Sequence, residues 1–417
     1  MAANTNIFET RLSRRMQITR YSTPVYTAQA SFEERANMES GQSVVRPSFA
    51  RLFADTYTRG SDMTEQNYVE TSETLTINTT PALLLPVDNF DEIQHKSSIV
   101  DRLAGDGIRA LNKHIDADYL AEVTNATSTV DAGDVGGTAG TAITLDATNI
   151  LKIFPAAARK LKLRNVDITG LTDTRSMIGN MKPMGAGAFA NLNPYVSEQL
   201  TYSLAGRETV GGDQTGMNGY SKTYFGFDCY DSTNGRWTGS LAIATQPTDG
   251  DTVTINGVVF TFKTTLGTDA GNVLIGADAD AANTNLAALI NTPGTTTGQG
   301  VALTVANQRL LARITATANT TPNTMTLVAK GYGYVVVSET LTNASDIWTS
   351  ALQISEQMLG QKGAVDMVLQ DAVKVSISDI PKQFGKYIKP RVLYGLKSFT
   401  EGKDALVNVK IISSSWV

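Results

Sequence analysis

Between Val100 and Val123 the apolar residues fall at Val100, Leu103, Ile108, Leu111, Ile115, Tyr119, Leu120 and Val123. Steps of mostly three, four and five residues put them on one stripe of an α-helix and fit no strand. The pattern predicts a helix from Asp88 to about Asn125, with Asp88 as N-cap after Pro86-Val87 and Asp91 in an acidic first turn. At about 1.5 Å per residue such a helix reaches on the order of 55 Å. Gly105 and Gly107 inside it each cost roughly 1 kcal/mol relative to Ala. So long a helix needs a broad sheet or neighbouring subunits along its length. The alternative is an ordinary core helix broken near the two glycines.

Other segments show a two-residue period. Residues 43–80 read as two extended limbs around a turn at Arg59-Gly60-Ser61, the second alternating at Val69, Leu75 and Ile77. A hairpin of this kind cannot bury both faces alone and has to lie on something else. PALLLPV is a short buried strand feeding the long helix. Residues 126–145 are a Gly/Thr/Ala-rich loop, and Asp146 to Leu163 returns to helical spacing at Ile150, Leu151, Phe154, Ala157, Ala158 and Leu161. Pro155 is expected to kink or reset that helix. DITGLTDTRSMIGNM offers only a weak strand, and GYSKTYFGFDCYDSTN alternates as a strand pair.

Residues 239–345 are Thr/Asn/Gly/Ala-rich and poor in aromatics. Asn256-Gly257 between alternating runs is a strong hairpin signal. The helix ADAANTNLAALIN follows, then VALTVANQRLLARITATA and NTMTLVAKG as strands. That order predicts a small α+β domain inserted in a host fold. After it, SALQISEQMLGQKGAVDMVLQDAVKVSIS is expected to be helical and then extended. The chain then closes with two long strands joined at Glu401-Gly402-Lys403.

Composition narrows the function. The 417 residues suffice for two or three domains, and a net charge of −5 does not suit a polyanion-binding chain. The lone Cys229 excludes an intrachain disulfide, and His95 and His114, the two histidines, leave no Cys/His zinc set. No run approaches the roughly 20 apolar residues of a membrane span, and residues 1–30 lack an apolar signal core. The expectation is a chain used without export or membrane insertion. Arg11, Arg14, Arg15 and Arg20 make the polar arm 1–42 locally basic, which suits pairing with acidic neighbours or, alternatively, contact with nucleic acid.

Catalytic and cofactor signatures are absent: no phosphate-binding loop, nucleophile elbow, H-E-x-x-H or C-x-x-C occurs. His114 and Asp118 read as an exposed i,i+4 contact rather than an acid–base pair. Asp278 and Asp280 read as the start of a helix, with neither the glycine nor the distal Glu of a calcium loop. Cys229 reads as packed. No catalytic residue, cofactor or metal site is predicted.

The order of parts then carries a resemblance. LLLPVDNFDEIQ running into the helix, GYSKTYFGFDCYDSTN, and GAVDMVLQDAVKVSISDIPKQFGKYIKPRVLYGLKSF resemble the major capsid protein of tailed bacteriophages, the Hong Kong 97-type α+β fold. The likeness covers about three quarters of the chain and leaves out 239–345. It implies an N-terminal arm (1–42), an extended loop (43–80) and a peripheral domain with a spine helix (81–129). A central domain (130–238 and 346–371), the inserted domain (239–345) and closing strands (372–417) complete it.

The function implied is self-assembly into hexamers and pentamers of an icosahedral shell around double-stranded DNA, in a virion assembled in the host cytoplasm. Implied partners are a separate scaffolding protein, a portal at one vertex, a decoration protein, and packaged DNA touched weakly at most. Scaffolding is expected to be separate because no long charged helical segment precedes the fold. The extended loop offers Arg46, Arg51, Arg59, Asp55, Asp62, Glu65 and Glu70 for salt bridges to a neighbour, and Phe49, Leu52, Phe53 and Tyr57 as apolar anchors. Some members of the family lock this loop with a lysine–asparagine bond. Here the first lysine is Lys96, so a non-covalent shell is expected. The alternative reading is an adhesive or carbohydrate-binding surface protein, with 239–345 as its recognition module.

Overall fold

The computed structural model describes residues 24, 26–33, 42–49, 54, 56–60, 62, 65, 70–88, 99–146, 149, 152–164, 166, 175–179, 219–224, 227–231, 235–320, 323–381 and 383–413. The chain is α+β. A short helix α1 (Tyr26–Gln29) precedes an antiparallel ribbon of β1 (Ser43–Phe49) and β2 (Glu70–Thr76). Strand β3 (Leu85–Asp88) comes next, so Asp88 ends a strand and is not the helix cap expected from sequence. Residues 89–98 lie outside the described set. The predicted helix is α2 (Ile99–Ala121), followed by a 3₁₀ turn at Glu122–Asn125.

Helix α2 is continuous through both glycines because a sheet lies along it. Val100 packs with Val87 and Ile388, and Leu111, Ile115 and Tyr119 pack with Val392 and Tyr394. Gly107 is needed there: a Cβ would come within 2.4 Å of Pro390 Cγ. Gly105 faces open space.

Strand β4 (Ser128–Val130), helix α3 (Ala132–Val135) and helix α4 (Ile153–Leu163) follow. Helix α4 starts seven residues after Asp146, so Pro155 falls in its first turn, where the missing N–H has no intrahelical partner to lose and no kink results. Its Ile153, Phe154, Ala157 and Leu161 cover Val407, Val409 and Ile411 of the central sheet. The weak strand of the sequence is β5 (Arg175–Gly179), and the aromatic pair is β6 (Gly219–Tyr224) and β7 (Phe227–Asp231).

The next block comprises β8 (Arg236–Ala242), β9 (Thr252–Ile255), β10 (Val258–Lys263), β11 (Asn272–Leu274), α5 (Ala279–Asn291), α6 (Val305–Leu310), β12 (Ile314–Thr320), β13 (Asn323–Lys330) and β14 (Val337–Glu339). Asn256 (φ 50°) and Gly257 (φ 79°) form the two-residue turn between β9 and β10, both left-handed as such a hairpin requires. Asp278 caps α5 by accepting the Ala281 N–H at 2.8 Å. Val305–Leu310, expected as strand, is helix α6, started by the Thr304 hydroxyl accepting from Asn307 N–H. One apolar cluster, from Trp237 to Trp348, is drawn wholly from this block.

The chain returns as β15 (Ile354–Gln361), β16 (Asp366–Asp379) and β17 (Gly385–Lys397), then helix α7 (Thr400–Asp404) and β18 (Leu406–Ile412). The expected helix after Ser350 is a single 3₁₀ turn, Ser350–Leu352, running into β15. The expected turn at Glu401–Lys403 is α7. Ala372, the expected domain boundary, falls inside β16.

Two sheets organise the described chain outside this block, and the second of them continues into it through β8. Among the described residues β16, β17 and β3 form a three-stranded sheet under α2. The central sheet is built on β15, which pairs with β18 along one edge. Its other edge is shared: Ile354–Glu356 pairs with β8, and Met358–Gln361 with β5.

Candidate intersubunit surface

The β1–β2 ribbon is held at its root by residues from the far end of the chain. Leu75 and Ile77 are buried with Val368 and Phe399. Beyond the ribbon, the backbone N–H groups of Thr79 and Tyr394 donate to each other's carbonyls at 3.1 and 3.0 Å. Glu73 accepts from the Thr400 amide (2.8 Å) and hydroxyl (2.6 Å). Burial acts to raise the Glu73 pKa, but the Thr400 bonds and then Lys403 and Lys397 outweigh it and leave it below its ordinary value. Lys397 Nζ donates to the Thr74 carbonyl at 2.8 Å.

Arg46 belongs to this root. Its guanidinium pairs with Asp366 (3.5 Å) and Glu401 (3.3 Å), and lies 5.2 Å from the Phe399 ring centroid, with Lys397 at 5.5 Å from the same ring. Arg46 is 41% exposed, so each ion pair is worth less than about 1 kcal/mol. Both of these partners belong to its own chain.

Several other described residues of the loop are exposed. Val45, inside the root between Val44 and Arg46, is 59% exposed, and Tyr57, outside it, 58%. Arg59, Asp62, Glu65 and Glu70 are exposed. Gly60 turns at φ 89° and its N–H donates to the Tyr57 hydroxyl at 3.4 Å. Phe49 pairs through its backbone with Glu70. Its side chain, and Arg51, Leu52, Phe53 and Asp55, lie outside the described residues. The anchors Asp366, Thr400 and Glu401 stand 320 to 355 positions from the ribbon residues they hold, and no local sequence signal marks them or Phe399.

Chemistry elsewhere is sparse. Among the described residues no group of three His, Cys, Asp or Glu side chains is placed to hold a metal, and no helix is long and apolar enough to cross a membrane. Cys229 lies in β7. His114 and Asp118 are not the exposed pair expected. Asp118 is only 19% exposed, and besides His114 at 3.6 Å it holds Arg313 and the Tyr394 hydroxyl. A cleft of about 570 Å³ opens beside the loop at 136–141, lined by Val135, Lys152, Leu352, Ile354 and Ile412. Lys152 Nζ there donates to the Val135 carbonyl.

No family model and no curated protein matches the chain. Among solved structures it is similar to a chain of Mycobacterium phage Che8, at 13% identity and a TM-score of 0.47, over 97% of this chain and 98% of that one. It is similar to a chain of the capsid of cyanophage P-SCSP1u, at 11% identity and a TM-score of 0.47, over 96% and 92%. A chain from the capsid of Myoviridae phage XM1 is similar at 10% identity and a TM-score of 0.43, over 96% of each.

Proposed function

We propose that the chain is a shell subunit, the major capsid protein of a tailed bacteriophage, and that it works by self-association. The observation that carries this reading is the ribbon, sealed at its root by Leu75 and Ile77 and exposed beyond it at Glu70, Thr71 and Ser72. A two-stranded ribbon is marginal in water on its own, so its outer half calls for cover from another subunit. The order of parts supports the reading: arm, ribbon, helix α2 on its three-stranded sheet, central sheet, and a block with its own core. In this reading 43–80 is the extended loop, α2 the spine helix, and 236–348 an inserted domain slightly wider than 239–345. Arg59, Asp62, Glu65, Glu70 and Tyr57 make the contacts to the neighbour, whereas Arg46 braces the loop within its own subunit. A scaffolding protein, a portal, a decoration protein and enclosed DNA are the further partners that go with such a shell.

The test is assembly. Purified chain supplied with scaffolding protein should form hexamers, pentamers or closed particles by light scattering and negative-stain imaging; a persistent monomer overturns the reading. Because the first lysine is Lys96, the loop has no amine for covalent locking. Particles boiled in detergent should therefore run as single chains near 44.6 kDa.

A further inference from the structure

Besides the backbone bonds at its own two ends, Thr349 N–H to the Ser240 carbonyl and Gly331 N–H to the Gly235 carbonyl, the block from Arg236 to Trp348 meets the rest of the described chain chiefly at two places. One is the ladder between β8 and β15, three residue pairs long, from Ile354–Thr238 to Glu356–Arg236. It is flanked by an Arg236–Glu356 ion pair and by the Trp237 indole N–H donating to the Ser413 hydroxyl at 3.1 Å. The other is on helix α2, where Arg313 reaches across from the link between α6 and β12.

Arg313 has a φ of 66°, in the left-handed region that L side chains adopt at a cost. Its Nη1 donates to the His114 carbonyl at 2.9 Å, and its Nη2 pairs with one oxygen of Asp118. The other Asp118 oxygen accepts from the Tyr394 hydroxyl of β17 at 2.5 Å. Burial first, and then the bond to Asp118, hold the Tyr394 phenol well above its ordinary range, so it stays a neutral donor. Alongside, Gly331 (φ 85°) lies so close to α2 that a Cβ would come within 2.9 Å of Ala117 Cβ. Costly backbone conformations persist where the surroundings over-determine them. Here the helix carbonyl and a carboxylate already oriented by Tyr394 do so.

We propose that Arg313, Asp118 and Tyr394 form a latch that sets the angle between the 236–348 block and helix α2, with the short β8–β15 ladder as its pivot. Opening the latch frees the angle and leaves the block folded, because its apolar cluster takes no residue from outside it. The latch does not depend on the chain being a shell subunit.

The full chain, with Cys229→Ser, carries nitroxide labels at Gly298→Cys, in open space on the block, and Lys113→Cys, exposed on α2. Double electron–electron resonance should give one narrow distance. Arg313→Gly removes the guanidinium while accepting the positive φ, and should lose that single distance to a broad distribution. Asp118→Asn should do the same, and the double variant should broaden it no further than either alone. Amide exchange within β10 and α5 should match the parent. A narrow, unchanged distance in Arg313→Gly overturns the latch. So does faster exchange throughout the block, which would make Arg313 part of its internal stability. Arg313→Gly decides the matter even if Asp118→Asn does not fold.

Discussion

Replacing Leu75 with Ala tests how the ribbon is attached. Leu75 is fully buried, packed with Ile77, Val368 and Phe399. Removing a buried leucine side chain costs about 2–5 kcal/mol. The root otherwise relies on the buried Ile77, on the Glu73–Thr400, Lys397–Thr74 and Thr79–Tyr394 hydrogen bonds, on half-exposed ion pairs worth less than about 1 kcal/mol each and on a ladder that is marginal alone. The loss therefore falls on local opening of the ribbon. At about 3 kcal/mol the open population rises on the order of 100-fold. Hydrogen exchange reads this directly. The Ile77 amide, which donates to the Gln42 carbonyl at 2.8 Å, should exchange about two orders of magnitude faster. Amides of β15 and β18, in the central sheet, should keep the parent rate. Equal acceleration in both places would mean that the ribbon is one cooperative unit with the core, and no acceleration would mean that Leu75 does not hold it. On the proposed function, assembly should weaken in the same variant, because the loop would reach its neighbour from this root.

Helix α2 gives paired predictions. Gly105→Ala enters open space and should stabilise by up to about 1 kcal/mol. Gly107→Ala meets Pro390 at 2.4 Å and should destabilise by about 1–3 kcal/mol; thermal unfolding with the order reversed would contradict the packing of α2 on β17. His114 titrates below its ordinary 6.5 because of burial and then Arg313, with Asp118 opposing. The unfolded chain then binds the proton more readily, so stability is untouched above about pH 6.5 and falls as pH drops toward the folded value. His114→Gln should flatten melting temperature against pH between about 7.5 and 5.5, and an unchanged slope would show that His114 is not the group responsible.

Much of the architecture is written locally. The stripe from Val100 to Val123 specifies a helix because each turn repeats the same apolar side, and Asn256-Gly257 specifies its turn because both positions need positive φ. Helix α5 likewise follows from Asp278 as its cap and from its alanines and leucines, which outweigh the weaker Asn and Thr between them. Strand β15 shows where local reading fails. Six consecutive residues from Ser355 to Gly360 are buried, covered by α4 on one face and by the α2 side of the fold on the other. Ser355, Glu356 and Gln357 are therefore interior, and no alternation survives to mark a strand. Through Gly105 and Gly107 the helix is backed by the β3–β17–β16 sheet, whose Pro390 turns Gly107 from a liability into a requirement. The root of the ribbon and the Arg313–Asp118 contact join residues 195 to 355 positions apart. Each charged partner reads locally as an ordinary surface charge. Its role exists only once the chain has brought both ends together, because a hydrogen bond is specified by distance in space and leaves no period in the sequence.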